Sequence, residues 1–204
     1  VSDVPPTASD HPSTWKFDYP IYHVETREQW RAWLAVHQDD PSGVWVATWN
    51  RDSGRPAVTY DELVEEALCV GWIDSTVNTL DADRRLQLVT PRKPRSTWSR
   101  VNKARVEQLE ADGRMRPRGR RAIEAARENG WWSIYDAVED LVEPDDLAAA
   151  LDAEPEARAA WDAFPTSPRK AMLWWVVSAV REDTRARRVA SIVDHAARGE
   201  RAQG

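Results

Sequence analysis

A single cysteine, Cys69, excludes an intramolecular disulfide and any cysteine-based metal cluster. The four histidines, His11, His23, His37 and His195, show no metal-ligand spacing, so neither a metal nor a cofactor is expected. The N-terminal stretch VSDVPPTASDHPSTWKFD lacks a basic region followed by an apolar one, and so does not read as a secretory signal. The longest apolar run, Ala171 to Val180, falls well short of the roughly 20 residues that span a bilayer. These absences lead to the expectation of a cytoplasmic protein that does not engage a membrane.

What is present is tryptophan, 12 residues in a chain of 204. So much ring area from so few positions argues for a tryptophan-heavy core, with a minority of rings left to face a ligand. The chain reads as a flexible N-terminal arm, residues 1–19, and a single α+β domain, residues 20–204. The sheet-containing part spans 20–112 and the helical part 113–204. Trp30, Trp33, Leu34 and His37 have helical spacing, and GVWVATWN reads as a strand bounded by turn residues. Thr59 with Glu62 forms a capping box for a helix through Leu68 that stops near Gly71. WIDSTVNTL and RRLQLVT read as two strands joined around Asp81 to Asp83, ended by Pro91 and Pro94. The remainder reads as helices: from Ser99 to Gly113, from Pro117 to Gly130, around 146–151 and 156–164, from 167 to 180, and from 183 to 197. Three or four strands in a small antiparallel sheet, packed with six or seven helices, are expected.

Charge is unevenly spread. Between Arg84 and Arg121 there are 13 Lys/Arg against 3 Asp/Glu, a balance of +10. The rest of the chain holds 15 against 31, a balance of -16. Within the basic segment, TPRKPRSTWSRVN gathers Arg92, Lys93, Arg95 and Arg100 and stiffens them with two prolines. Three readings fit: a solvated face neutralised by the acidic helices downstream, a compact site for a small anion, or a nucleic-acid patch. The acidic balance of the whole chain disfavours nucleic acid.

At EEALCVGWIDS, TPRKPRSTWSRVN, GRMRPRG and the closing Thr184, Arg185 and Arg188, the sequence resembles the bacterial YdeI/OmpD-associated, or bacteriocin-protection, family. The motifs occur in one order from about residue 25 to the C-terminus. The resemblance implies a role in protection against bacteriocins or other antimicrobial stress; it implies no catalytic residue.

Trp72 and Asp74 alternate along one strand and so share a face. Arg92 and Lys93 leave the partner strand just before Pro94. Trp98 and Ser99 open a helix, whose N-terminus favours an anion, and Asn102 lies on its first turn. These groups are expected to surround one pocket for a small anionic or aromatic ligand, because an arginine fork suits carboxylate or phosphate and an indole suits a ring. Arg185 and Arg188 flank the apolar stripe of the last helix and either complete that site or pair with buried acids. The competing reading is an enzyme with Asp74 as general base and Arg92 and Lys93 stabilising negative charge. A structural alternative is that Asp74 pairs with Arg92 or Arg95 to pin the loop. Cys69, at a helix C-terminus among apolar neighbours, reads as buried and unreactive.

Overall fold

Parallel strands cannot be joined by a tight turn, and the first helix of this protein serves as such a crossover. The computed structural model describes residues 19–202, and the expected arm lies almost wholly outside them. A three-residue strand β1 (Ile21–His23) leads into α1 (Arg27–His37), which returns the chain to β2 (Val44–Trp49). β1 and β2 therefore pair in parallel, with Ile21 opposite Trp45. A short 3₁₀ turn (Arg51–Ser53) precedes α2 (Tyr60–Cys69), then the antiparallel hairpin β3 (Trp72–Thr79) and β4 (Arg84–Pro91). The sheet order is β1-β2-β4-β3. The protein is α+β, as read from the sequence. Its sheet is mixed rather than antiparallel throughout, because the short β1 carries too little pattern to read.

Both N-terminal helices start as their sequences dictate. Thr26 with Gln29 and Thr59 with Glu62 form complete capping boxes. The sheet is buried on two sides. Val44, Val46, Val89 and Trp72 pack with Trp30, Leu34, Leu63 and Ala67 of α1 and α2. Ile21, Trp45, Ala47, Leu86 and Leu88 form a separate cluster on alternate positions of the same strands. The distal half of β3, from Ser75 to Thr79, is exposed.

The chain divides into two compact units, one comprising the residues up to Ser96 with Arg100–Asn129, the other Thr97–Ser99 with the residues from Gly130 onward. α3 (Arg100–Ala111) and α4 (Pro117–Glu128) belong with the sheet. α4 does so because the GRMRPRG turn packs directly on the end of α2. The Arg116 N–H donates to the Cys69 carbonyl at 3.0 Å, and Arg118 Nη1 donates to the Val70 carbonyl at 2.6 Å. Cations and N–H donors there satisfy the carbonyls that a helix C-terminus leaves open. Gly71 takes the left-handed φ of 73° that ends the helix.

The second unit holds α5 (Asp136–Glu139), α6 (Asp145–Asp152), α7 (Pro155–Ala163), α8 (Thr166–Val177) and α9 (Glu182–Ala197). Leu147, Leu151, Trp161, Leu173, Val176 and Ile192 form its core. The Glu143 carboxylate beside that core accepts from Trp161 Nε1 at 2.7 Å and from Arg158 Nη1 at 2.9 Å. No helix among the described residues is long and apolar enough to cross a membrane.

A Cβ added at Gly119 meets the Cys69 carbonyl oxygen at 2.3 Å, whereas one at Gly113 (φ 67°) meets open space. Gly119→Ala is therefore expected to destabilise by about 3 kcal/mol through overpacking against backbone. Gly113→Ala is expected to cost only about 1 kcal/mol, the left-handed penalty. Urea unfolding followed by tryptophan fluorescence distinguishes the two.

Candidate functional site

The β3–β4 hairpin places Asp74 opposite Val89 and Trp72 opposite Pro91. Both therefore lie on the side of the sheet that α2 covers. The Asp74 carboxylate accepts the Tyr60 hydroxyl at 2.8 Å. Burial, then the Asp74 carboxylate, push the Tyr60 phenol up to about 12, so it stays protonated as the donor. The Arg105 guanidinium lies 5.9 Å from the centre of the Tyr60 ring, and its Nη1 donates to Asn102 Oδ1 at 3.1 Å. Arg105 also pairs with Asp61. Asp74 and Asn102 are thus linked through Tyr60 and Arg105, two side chains that the sequence patterns did not single out.

The other expected site residues are placed differently. Trp72 is 0 % exposed; its indole packs edge-on to Trp33 and donates to the Gln38 carbonyl at 3.0 Å. It builds the core and presents no face to a ligand. Trp98 and Ser99 belong to the second unit, where the buried Trp98 ring sits 5.0 Å from that of Trp132. Lys93 is exposed, and its backbone N–H donates to Ser96 Oγ at 2.9 Å, closing the turn through Pro94 and Arg95. Arg92 is the reverse case: its Nε and Nη2 atoms are shut off from solvent. Burial pulls its pKa down to about 9, against the opposing pull of the Asp74 carboxylate.

In the second unit Arg185 makes a two-pronged contact to Asp146, at 2.7 and 2.8 Å. Arg188 donates to the Trp175 carbonyl and to Ser178 Oγ, with its guanidinium 5.4 Å from the Trp175 ring centre. Both arginines hold α9 against its neighbours. Cys69 is buried, and burial pushes its thiol up to about 12, the condition of an unreactive cysteine.

Five arginines of the basic segment form ion pairs, three of them with acids distant in sequence. Arg84 binds Asp81, Arg105 binds Asp61, Arg114 binds Glu65 and Glu66, Arg118 binds Asp39, and Arg120 binds Glu110. These partners lie mostly upstream in sequence, rather than in the acidic helices downstream. The centre of the network is Glu66, 3 % exposed, which accepts from Arg27, Arg31 and Arg114. Its position was a legible signal: it falls on the apolar stripe of α2, with Leu63, Ala67 and Val70.

Two concavities of the first unit carry cations outside this network. One, of about 360 Å³, is lined by Trp49, Arg51, Ala57, Val58, Thr59, Tyr60 and Arg85. Arg85 Nε is fixed on Thr48 Oγ1 at 3.2 Å, and neither Arg51 nor Arg85 meets a carboxylate among the described residues. The other, of about 350 Å³, lies at the end of α2 around Cys69. No cluster of metal-binding side chains occurs among the described residues.

The fold and these sites describe an α+β sheet unit joined to an all-helical unit. Residues 140–199, in the helical unit, match the family described as Bacteriocin-protection, YdeI or OmpD-Associated, the one the motifs resemble. Residues 22–122, which hold the ALCVGWIDS, TPRKPRSTWSRVN and GRMRPRG motifs, match a family described as Domain of unknown function (DUF8412). No curated protein and no solved structure matches the chain.

Two outcomes follow from this geometry. In Glu66, burial raises the carboxyl pKa, but hydrogen bonds and charge from Arg31 and Arg27 outweigh it and hold the group below its usual 4.5. A depressed carboxylate contributes stability that is full above the unfolded pKa and is lost as pH falls through the folded one. Glu66→Gln should therefore flatten the acid limb of stability below pH 4.5. At pH 7 it should destabilise by about 2 kcal/mol, through lost charge-assisted hydrogen bonds to three partly exposed arginines. Denaturant midpoints across that range measure both effects. For Arg92, enclosed and coupled to Asp74, Arg92→Ala is expected to lose about 3 kcal/mol of stability. Lys93→Ala on the exposed turn should change it by less than about 0.5 kcal/mol. Equal midpoints for the two variants would remove Arg92 from the framework.

Proposed function

We propose that the sheet-containing unit binds a small anionic ligand with an aromatic ring at the concavity between Arg51, Tyr60 and Arg85. The carrying observation is the pair of arginines without carboxylate partners among the described residues, set around a floor of Ala57 and Val58. A volume of about 360 Å³ suits a compact ligand. Two planar forks suit a carboxylate, and the half-exposed Tyr60 ring suits an aromatic face. Asp74 enters this reading through Tyr60, whose hydroxyl it orients, and not as a general base. The anion is met by side chains rather than by the α2 N-terminus, because Asp61 and Glu62 already occupy that turn. With it go a protective role, which the family resemblance implies, and a cytoplasmic location, the expectation from the sequence. A small anion is favoured over a nucleic-acid backbone because the whole chain carries a net charge of -6 and five arginines of the basic segment are held in ion pairs.

Benzoate titrated by calorimetry into the whole protein tests the site, with benzyl alcohol as the uncharged comparison. Benzoate should bind and benzyl alcohol should not. Arg51→Ala and Arg85→Ala should each weaken benzoate by about 1.5–3 kcal/mol, the range for hydrogen bonds to charged groups. Melting temperatures should stay near that of the parent protein, since both side chains are exposed. Undiminished benzoate affinity in the double variant would sink the reading.

A further inference from the structure

We infer that the cavity at the C-terminal end of α2 is a second binding site, for a short aliphatic monocarboxylate. It opens between Arg31, Leu34, Ala35 and Gln38 of α1 and Glu66, Cys69 and Val70 at the end of α2, and Arg116 closes it. Nothing in the reading of the Tyr60 concavity depends on it, and the two share no residue.

Three observations specify the ligand. First, the lining charges do not cancel: two arginines face one glutamate, leaving one positive charge over. That glutamate is already engaged, since Glu66 Oε1 and Oε2 accept from Arg27, Arg31 and Arg114. Its charge is compensated in place, and an incoming anion meets Arg116 instead.

Second, Arg116 is held by its backbone and not by its side chain. Its N–H donates to the Cys69 carbonyl at 3.0 Å and its carbonyl accepts from the Arg120 N–H. Its guanidinium makes no ion pair or hydrogen bond among the described residues, although Arg114, Arg118 and Arg120 beside it all do. Its charge nevertheless reaches the cavity, where it acts on the Cys69 thiol. An arginine anchored at the main chain, with its fork left over at the rim of a cavity, is prearranged for a carboxylate.

Third, apart from the charged residues and Gln38, the lining is small or aliphatic. Leu34, Ala35, Val70 and the neutral Cys69 thiol offer no ring and no strong donor, unlike the Tyr60 concavity. The volume, about 350 Å³, has room for a short chain. The carboxylate is placed at Arg116 and the chain along Leu34 and Val70.

The test is calorimetric titration of sodium hexanoate into the whole protein at constant ionic strength, with hexan-1-ol as the uncharged comparison. Saturable hexanoate binding, no measurable hexan-1-ol binding, and a dissociation constant raised about tenfold or more in Arg116→Gln are expected. Arg116→Gln keeps both backbone hydrogen bonds, so it should fold. Ala35→Phe, on the exposed side of α1, should fill the cavity and abolish binding without altering any charge. If Ala35→Phe fails to fold, Arg116→Gln decides alone. Arg51→Ala should leave hexanoate affinity unchanged while weakening benzoate, so failure at one site is told apart from failure at the other. Absence of saturable hexanoate binding by the parent protein, or unchanged affinity in folded Arg116→Gln, overturns the assignment.

Discussion

One buried carboxylate organises the sheet-containing unit. Glu66 lies on the inner stripe of α2, where a lone negative charge is costly, and the sequence answers with three arginines from two other places in the chain. Arg27 and Arg31 come from α1, and Arg114 from the turn between α3 and α4. Each of these contacts is a charge-assisted hydrogen bond with a fixed direction, so Glu66 sets where the three segments meet. Arg114 in place brings the GRMRPRG turn onto the end of α2. There Gly119 admits the Cys69 carbonyl and Arg118 closes that of Val70. The wall of the Cys69 cavity is a by-product of the same network.

The second unit repeats the principle with Glu143, which gathers Arg158, Arg169 and the Trp161 indole. In both units arginine ties helices together through one shielded carboxylate. Within the arginine-rich stretch between 84 and 121, Arg105, Arg114 and Arg118 are matched by acids that are distant in sequence and adjacent in space. Arg51, Arg85 and Arg116 form no ion pair among the described residues and each lines a concavity. A few isolated forks suit compact anions, whereas a phosphate backbone requires a continuous basic surface.

The motifs that carry the family resemblance divide along the same lines. ALCVGW and GRMRPRG meet each other, and their glycines and arginines satisfy a helix end. Arg185 and Arg188 fasten α9 through Asp146 and the end of α8, while Thr184 hydrogen-bonds within its own helix, to Asp183 and Arg187. Such residues are held in place by packing and backbone contacts, and that role requires no pocket. Of the residues expected to converge on a ligand, Asp74 and Asn102 are joined through Tyr60 and Arg105. Trp72 is in the core, and Trp98, Ser99, Arg185 and Arg188 belong to the helical unit.

Local physics was readable from the chain itself. The capping box of Thr59 and Glu62, the stop at Gly71, the β3–β4 hairpin and every α-helix of two turns or more follow from periodicity, caps and turn residues within a dozen positions. β1 and α5 escaped because three or four residues carry no period; α5 also ends on Leu141 in the left-handed conformation, without the usual glycine. The tertiary structure alone decided how charges pair, since an ion pair such as Arg114–Glu66 joins residues 48 apart and leaves no local trace. It likewise decided which tryptophans are sealed in the core and which arginines remain at a cavity. Burial and pairing are properties of what surrounds a side chain, and those surroundings come from distant parts of the sequence.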